Sequence, residues 1–497
     1  MSRTPTPFAA GPRLDAAQVA PRSPSPRQVR APGGGRQRAA RRPLPRLGAL
    51  LMALLLPAAC GLEEPAVGQL NYESAFAGMI VADEPGAVIA SEGVLSAGGS
   101  AADAAVAMAL NLAVSYPGSA GIGGGGLCLV YDGEAERVQA LDFLPGAPTQ
   151  ALAEGGPGQA VAVPGLLRGL FALHARHGRL RFESLLIGPE RAARFGSPIS
   201  RALASDLKAA PAGLADDPAT ANLFEGRGEP RAVGGSAANL ELASLFGRVR
   251  GRGVGDFYNG ALARDLAAAA GRAGLKLNLA DLRDYRPTWH DTTTVEEGYA
   301  TLHLPPAPYA GHALADLWPR LSDDTDADDA VSQLAATARR LAEERGGTAL
   351  VGTTSLIAVD SRGDAVACTL TLNAPFGIGR GLPGFGFLPA PWPGDGETPP
   401  MALGLAVNEN SNEFRLAIAG AHGSDPSAGV GALALAALRG DTKLVSGAQT
   451  VGWTSESAPA LVNLARCPKS ISSHPESCRV GSDPRGNSLG RLLLADD

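Results

Sequence analysis

The residues best suited to chemistry are hydroxyls gathered at one end of a single stretch, Leu350–Gly377 (LVGTTSLIAVDSRGDAVACTLTLNAPFG). Gly352, Thr353, Thr354 and Ser355 stand at its front edge, and Thr369, Thr371 and Asn373 near its far end. A threonine hydroxyl becomes a nucleophile when a base takes its proton and a neighbouring group orients it. Threonine is also a good strand former, and that plainer reading of the cluster stands beside the chemical one. Other candidates are weaker. His174 and His177 would suit a metal pair, but no third ligand is near in sequence, so an exposed polar face is the preferred reading. The acidic run Asp323–Asp329 lacks the glycine and terminal glutamate of a Ca²⁺ loop and reads as solvated. The glycines of Gly121–Gly126 lack the lysine and hydroxyl of a phosphate loop and lead into a strand, so they read as close backbone packing or an anion-shaped turn.

The elements that must position the hydroxyls follow from patterning. TSLIAVD and AVACTLTLN, joined by the turn signal SRGD, predict a β-hairpin with both strands mostly buried. Thr369, Thr371 and Asn373 share parity and are expected on one face. Upstream, MIVA predicts a strand and Pro85–Ala97 a helix closed by Gly98 and Gly99. Ser100 caps a second, Ala-rich helix with Asp103 in its first turn; apolar nearly all round, it is expected to be buried. LCLVYD and VQALDF read as strands, and GLLRGLFALHARHG as an amphipathic helix. Leu240–Tyr285 reads as largely helical, TTTVEEGYATLHLPPAP as two strands, and Ala330–Glu344 as a surface helix. LGLAVNE and FRLAIAG read as strands, Gly429–Leu438 as a helix, and the tail from Asp441 as irregular. Strands and helices come without steady βαβ alternation, which favours an α+β fold of stacked antiparallel sheets covered by helices.

The chain has 497 residues, 45% hydrophobic and 19% charged, with a net charge of −6. That is ordinary globular composition with room for a large core. The slightly acidic balance, without a basic patch interleaved with aromatics, argues against nucleic-acid binding. Residues 1–60 differ. A Pro/Arg/Gly/Ala-rich segment leads into LGALLMALLLPAAC, an apolar run too short to span a membrane. This predicts an export signal of lipoprotein type ending at Cys60, with simple cleavage after Ala59 as the alternative. Cys128 and Cys368, in apolar runs, are expected to be inert buried thiols. Cys467 and Cys478, in a polar tail, could pair in an oxidising compartment.

Several long segments in order carry a resemblance: GMIVADEPGAVIASEGVLSAGGSAADAAVAMALNLAVSYPGSAGIGGGG, AVAVPGLLRGL, FYNGALA with LADLRDY, and TTSLIAVDSRGDAVACTLTLNAPFGIG. From about Gly78 to about Leu438, with an echo at GSDPRG (residues 481–486), the chain resembles the γ-glutamyltransferase (γ-glutamyltranspeptidase) family of N-terminal-nucleophile hydrolases. The resemblance implies a four-layered αββα sandwich and a precursor that cuts itself into two associated subunits. It places the cut at Gly352–Thr353. The segments are then a leader (1–60), a linker (61–77), a large-subunit region (78–352) and a small-subunit region (353–497). Thr353 becomes both nucleophile and, through its freed α-amine, base; an α-amine titrates near 7.7–8.0 unperturbed. Thr371 matches the threonine that orients the nucleophile, Asn373 a residue holding the substrate's amino group, and Asp395 the amino-binding carboxylate. Gly423 and Ser424 match the oxyanion-hole pair, whose donors are backbone N–H groups. No metal or organic cofactor is implied.

The departures from the family pattern concern substrate. Leu144 replaces the arginine that clamps the donor's α-carboxylate, and leucine cannot imitate that contact. Pro399 and Pro400 stand where paired serines assist it. His422 replaces the proline before the oxyanion pair, and Ser355 the histidine after the two threonines. The expectation is an exported periplasmic or cell-envelope enzyme, anchored only through a lipid at Cys60. It would cleave or transfer a γ-glutamyl-type amide, such as a glutathione-like donor, to water, an amino acid or a peptide. The alternatives are an amidase or acyltransferase whose donor lacks a free α-carboxylate or presents it to another cation such as Arg380, and a degenerate lipoprotein keeping the fold as a binding module.

Overall fold

Central strands buried on both faces build the layers. The computed structural model describes residues 76–149, 161–226, 228–309, 311–318, 336, 352–394, 401–422, 426–440, 460–483 and 486–494. Six sheet strands precede Thr353: β1 (Phe76–Ala82), β2 (Gly125–Asp132), β3 (Arg137–Phe143), β4 (Thr288–Asp291), β5 (Thr293–Glu297) and β6 (Ala300–Leu304). Seven begin at it or follow: β7 (Thr353–Asp360), β8 (Ala365–Thr371), β9 (Ala402–Asn408), β10 (Phe414–Ala421), β11 (Leu461–Arg466), β12 (Arg479–Gly481) and β13 (Leu489–Leu494). They form a seven-stranded sheet in the order β13-β1-β7-β8-β2-β3-β4 and a six-stranded sheet in the order β12-β11-β10-β9-β6-β5. Every pairing within both sheets is antiparallel.

Three apolar cores separate four layers. Met79, Val81, Ile357 and Val359 of the first sheet meet Leu403, Leu405, Ala417 and Ala419 of the second. The residues between them, Ile80, Ala82, Leu356 and Ala358, point the other way, as period-two alternation requires. They pack beneath α1 (Pro85–Ser96) and α2 (Ala101–Ser115), in a core that also takes in α3 (Leu166–His177), α4 (Leu240–Arg252) and α5 (Ala261–Arg272). On the far side of the second sheet, Leu302, Leu416 and Ile418 pack with α6 (Gly311–Leu317) and α7 (Pro426–Arg439). The predicted αββα sandwich is therefore present. The stretch from Thr353 onward, expected as a small-subunit region, is not a separate body among the described residues. Its hairpin β7-β8 sits in the middle of the first sheet, flanked by β1 and β2 from the other side of Thr353.

Local expectations hold where the signal is chemical. Ser100 Oγ accepts from Asp103 N at 3.1 Å and Asp103 Oδ2 accepts from Ser100 N at 2.9 Å, a reciprocal capping box. The turn after β7 is set by Asp360 Oδ1, which accepts from Arg362 N at 2.9 Å, and by Gly363 at φ +87°.

Four expectations are corrected. Cys128 and Cys368 are not free thiols: they stand directly opposite in β2 and β8 and form a disulfide. The tail is not irregular throughout, since β11, β12 and β13 lie in it and β13 covers the open edge of β1. Thr288–Asp291, with no strand expected, pairs with β3 at the opposite edge. His174 and His177 are partly buried and occupied separately, His174 Nε2 donating to Leu180 O at 2.7 Å and His177 Nδ1 lying 3.4 Å from Asp132. Cys467 and Cys478 are paired. The acidic run Asp323–Asp329 lies outside the described residues, as does nearly all of Ala330–Glu344.

His303 on β6 offers a test of the packing. Burial pushes its imidazole down to about 4 from the ordinary 6.5. The unfolded chain therefore binds a proton that the folded chain refuses, and stability falls as pH drops from 6.5 towards 4. Denaturant titrations at pH 7.5 and 5.0 should show a larger loss for the native chain than for His303→Gln; equal losses would contradict the burial argument.

Candidate active site

The site is built where β7 begins and β8 ends. Thr353 and Thr371 are directly opposite in the ladder, and both are 1% exposed. The direction of the Thr371 hydroxyl is fixed. Asn373 N donates to its Oγ1 at 2.8 Å, and an N–H cannot accept, so the hydroxyl proton is free to point elsewhere. It donates to Gly352 O at 3.1 Å. Leu372 N donates to the same oxygen at 2.9 Å. The carbonyl of the Gly352–Thr353 peptide is thus polarised by two donors, while His422 N donates to Thr353 Oγ1 at 3.0 Å. Gly352 is needed for close approach: a Cβ there would lie 2.4 Å from Ala374 O.

Behind Thr353 lies a buried carboxylate that sequence reading did not single out. Asp83, 2% exposed, follows β1 directly. Its Oδ2 accepts from Ser355 N at 2.7 Å and Thr354 Oγ1 at 3.0 Å, and its Oδ1 from Asn463 Nδ2 at 2.6 Å. Ser488 Oγ adds a contact at 3.3 Å. Thr354, read as an ordinary strand threonine, therefore ties the start of β7 to the end of β1. Ser355, where the family pattern has histidine, joins the same network: its Oγ lies 3.2 Å from Asp83 Oδ2 and accepts from Asn463 Nδ2 at 2.9 Å. Thr369 Oγ1 is buried without a partner among the described residues, consistent with a strand residue and no more.

Two cavities are linked to the Gly352–Thr353 peptide, one through His422 and one through Asn373. One, of about 500 Å³, is lined by Asp83, Tyr116, Arg201, Asp206 and His422. The Tyr116 hydroxyl lies 3.3 Å from His422 Nε2. Burial pushes Tyr116 well above its ordinary pKa, with the neighbouring Asp206 and Asp83 charges adding to the rise, and burial also raises Asp206. The other, of about 430 Å³, is lined by Leu144, Tyr285, Arg286, Tyr309, Asn373 and Trp392 among others. Leu144 and Asn373, two positions that the family pattern assigns to substrate, thus share one wall. Arg380, offered as a substitute cation, is exposed and does not line this cavity; Arg286 does. A third cavity, about 600 Å³, opens at the other end of the hairpin around Ser361–Asp364.

Asn373 departs from the expected geometry. β8 stops at Thr371, and Asn373 turns with φ +59°, so strand parity does not govern it. Its Nδ2 donates to Pro391 O at 3.1 Å, while its buried Oδ1 has no partner among the described residues. Asp395, Pro399, Pro400, Gly423, Ser424 and Cys60 lie outside the described residues. No group of three or more His, Cys, Asp or Glu suited to a metal occurs among the described residues.

The Asp83 network is testable by itself. Asp83→Ala leaves the Thr354, Ser355 and Asn463 donors without their acceptor, and stranded buried donors cost about 1–3 kcal/mol each. A loss of at least about 2 kcal/mol in denaturant unfolding is expected; a loss under about 0.5 kcal/mol, as at ordinary surface sites, would contradict a structural role.

Comparison with known proteins places the chain. The family model described as gamma-glutamyltranspeptidase matches residues 87–345, ending before Thr353. The chain is 30% identical over 288 residues to a glutathione hydrolase proenzyme of Bacillus subtilis (strain 168), covering 53% of this chain and 48% of the relative. It is 30% identical over 243 residues to glutathione hydrolase 3 of Arabidopsis thaliana, covering 47% and 38%. It spans less than half the length of each. Among solved structures, a cephalosporin acylase from Bacillus halodurans aligns over 85% of this chain and 97% of its own, with a TM-score of 0.65 at 20% identity, a likeness of fold. With the family model matching over half of its length, the chain belongs to the gamma-glutamyltranspeptidase family.

Proposed function

We propose that the chain is a self-processing threonine amidohydrolase or acyltransferase with Thr353 as its nucleophile. One observation carries the reading: both reacting atoms of the Gly352–Thr353 peptide are held, the carbonyl oxygen by Thr371 Oγ1 and Leu372 N and the hydroxyl oxygen by His422 N. Thr353 Oγ attacks the Gly352 carbonyl carbon. The C–N bond breaks, the hydroxyl proton goes to the departing nitrogen, and water hydrolyses the resulting ester. The products are a Gly352 carboxylate and a Thr353 bearing a free amine and hydroxyl. That amine then serves as the base when the hydroxyl attacks a substrate amide. The acyl-enzyme passes its acyl group to water, an amino acid or a peptide.

Family membership favours a γ-glutamyl-type donor. A second reading, a donor without a free α-carboxylate, is favoured by Leu144 lining the cavity beside Asn373. Export is supported by two disulfides among the described residues, since such bonds persist in oxidising compartments; lipidation of Cys60 rests on the lipoprotein-type segment LGALLMALLLPAAC alone. Cys60→Ser is expected to move the protein from the membrane to the soluble fraction; an unchanged distribution would remove the anchor.

Cleavage has a distinctive signature here, because Cys128 and Cys368 lie on opposite sides of the cut. The mature protein should run as one species on a non-reducing denaturing gel and as two after reduction, the smaller beginning at Thr353. Thr353→Ala should remain one chain in both lanes. Thr371→Val removes one of two carbonyl donors and should slow cleavage about 10²-fold, the scale of losing an oxyanion donor. One reduced band in the native protein, unchanged by Thr353→Ala, would instead support the binding-module reading.

A further inference from the structure

We propose that the 430 Å³ cavity beside Asn373 is the acyl pocket and that it selects an aromatic acyl group, in place of an amino-acid side chain carrying its own α-carboxylate. The inference rests on Thr353 being the nucleophile and names the substrate class of that site.

The cavity is coupled to the reacting bond through a short chain of contacts. Asn373 lines it, Asn373 N donates to Thr371 Oγ1, and Thr371 Oγ1 donates to Gly352 O. An acyl group seated there is linked through Asn373 to Thr371, one of the donors that polarise the Gly352 carbonyl. The volume falls within the range of small-molecule sites, about 300–1,000 Å³.

The lining dictates what fits. Three aromatic residues, Tyr285, Tyr309 and Trp392, share the wall with Leu144. The tyrosine hydroxyls are already committed: Tyr285 donates to Leu144 O at 2.9 Å and Tyr309 to Asp142 Oδ2 at 2.6 Å. What these residues have left to offer a ligand is ring surface, which pairs with another ring in offset or edge-to-face geometry. Asp142 is engaged on both oxygens, its Oδ1 accepting from Leu144 N at 2.8 Å, so it makes a poor seat for a substrate ammonium. Leu144 offers methyl groups where a carboxylate would need a cation. Arg286 is the one cation lining the cavity among the described residues. It is exposed and tethered through Nη1 to Arg283 O and Tyr285 O, a placement suited to the mouth of the site.

Two measurements test this. The self-processed protein, with its disulfides intact, is assayed with phenylacetyl-p-nitroanilide and with γ-glutamyl-p-nitroanilide; kcat/KM is expected to be at least tenfold higher for the aromatic donor. Binding is then followed without turnover in full-chain Thr353→Ala, by tryptophan fluorescence during titration with phenylacetate and with L-glutamate. Phenylacetate should give a saturable change that disappears when Trp392→Phe is added. Faster turnover of the γ-glutamyl donor, or a Trp392 response to L-glutamate and none to phenylacetate, would overturn the assignment. If no fragment begins at Thr353, the nucleophile reading fails on its own, and the fluorescence titration still decides what the cavity binds.

Discussion

The structure turns on one hydroxyl whose direction is not free. Thr371 is held opposite Thr353 by the ladder between β7 and β8, and the N–H of Asn373 occupies its acceptor side. The proton must then point at Gly352 O. A buried hydroxyl with only one permitted orientation is pre-organised, which is the property a developing oxyanion rewards. Its precision depends on the hairpin register. A slip of one residue would turn Thr371 to the other face and put Leu370 or Leu372 opposite Thr353.

The rest of the fold protects that register. Placing the hairpin in the centre of the seven-stranded sheet gives it a bonded neighbour on either side. The disulfide between Cys128 and Cys368 joins β8 to β2 and fixes the pairing covalently. At the other flank, Asp83 ties the end of β1 to Thr354 and Ser355. A carboxylate so deeply buried is costly unless hydrogen-bonded, and here backbone, hydroxyl and amide donors converge on it. Removing the family's histidine at position 355 therefore leaves no hole in the polar network.

Much of this was legible in sequence wherever a local pattern dictates local structure. The hairpin was visible as two β-branched apolar runs around a turn, and the second helix start as a capping serine with an acidic residue three places on. The four layers came from the resemblance, since periodicity cannot say how sheets stack, and so did the proposal of Thr353 as nucleophile. What escaped was non-local. Asp83 has no sequence signature because its partners Ser355, Asn463 and Ser488 lie 272, 380 and 405 residues away. The Cys128–Cys368 bond depends on strand register over a separation of 240 residues. Asn373 broke the parity argument because β8 ends two residues earlier and the backbone then turns left-handed. Of the tail strands, β12 is three residues long and β12 and β13 lie at sheet edges, where burial patterning is weakest.

The central claim is that Thr353, and no other hydroxyl of the cluster, forms the covalent bond to the acyl group. Acid-quenched protein taken during turnover, digested and mapped by mass spectrometry, tests it directly. The account predicts an acyl mass added to the peptide that begins at Thr353, located on that residue and released by hydroxylamine. Continued turnover with the adduct on Thr354, Ser355 or Thr371, or with no adduct under conditions where acyl-enzyme accumulates, would contradict it.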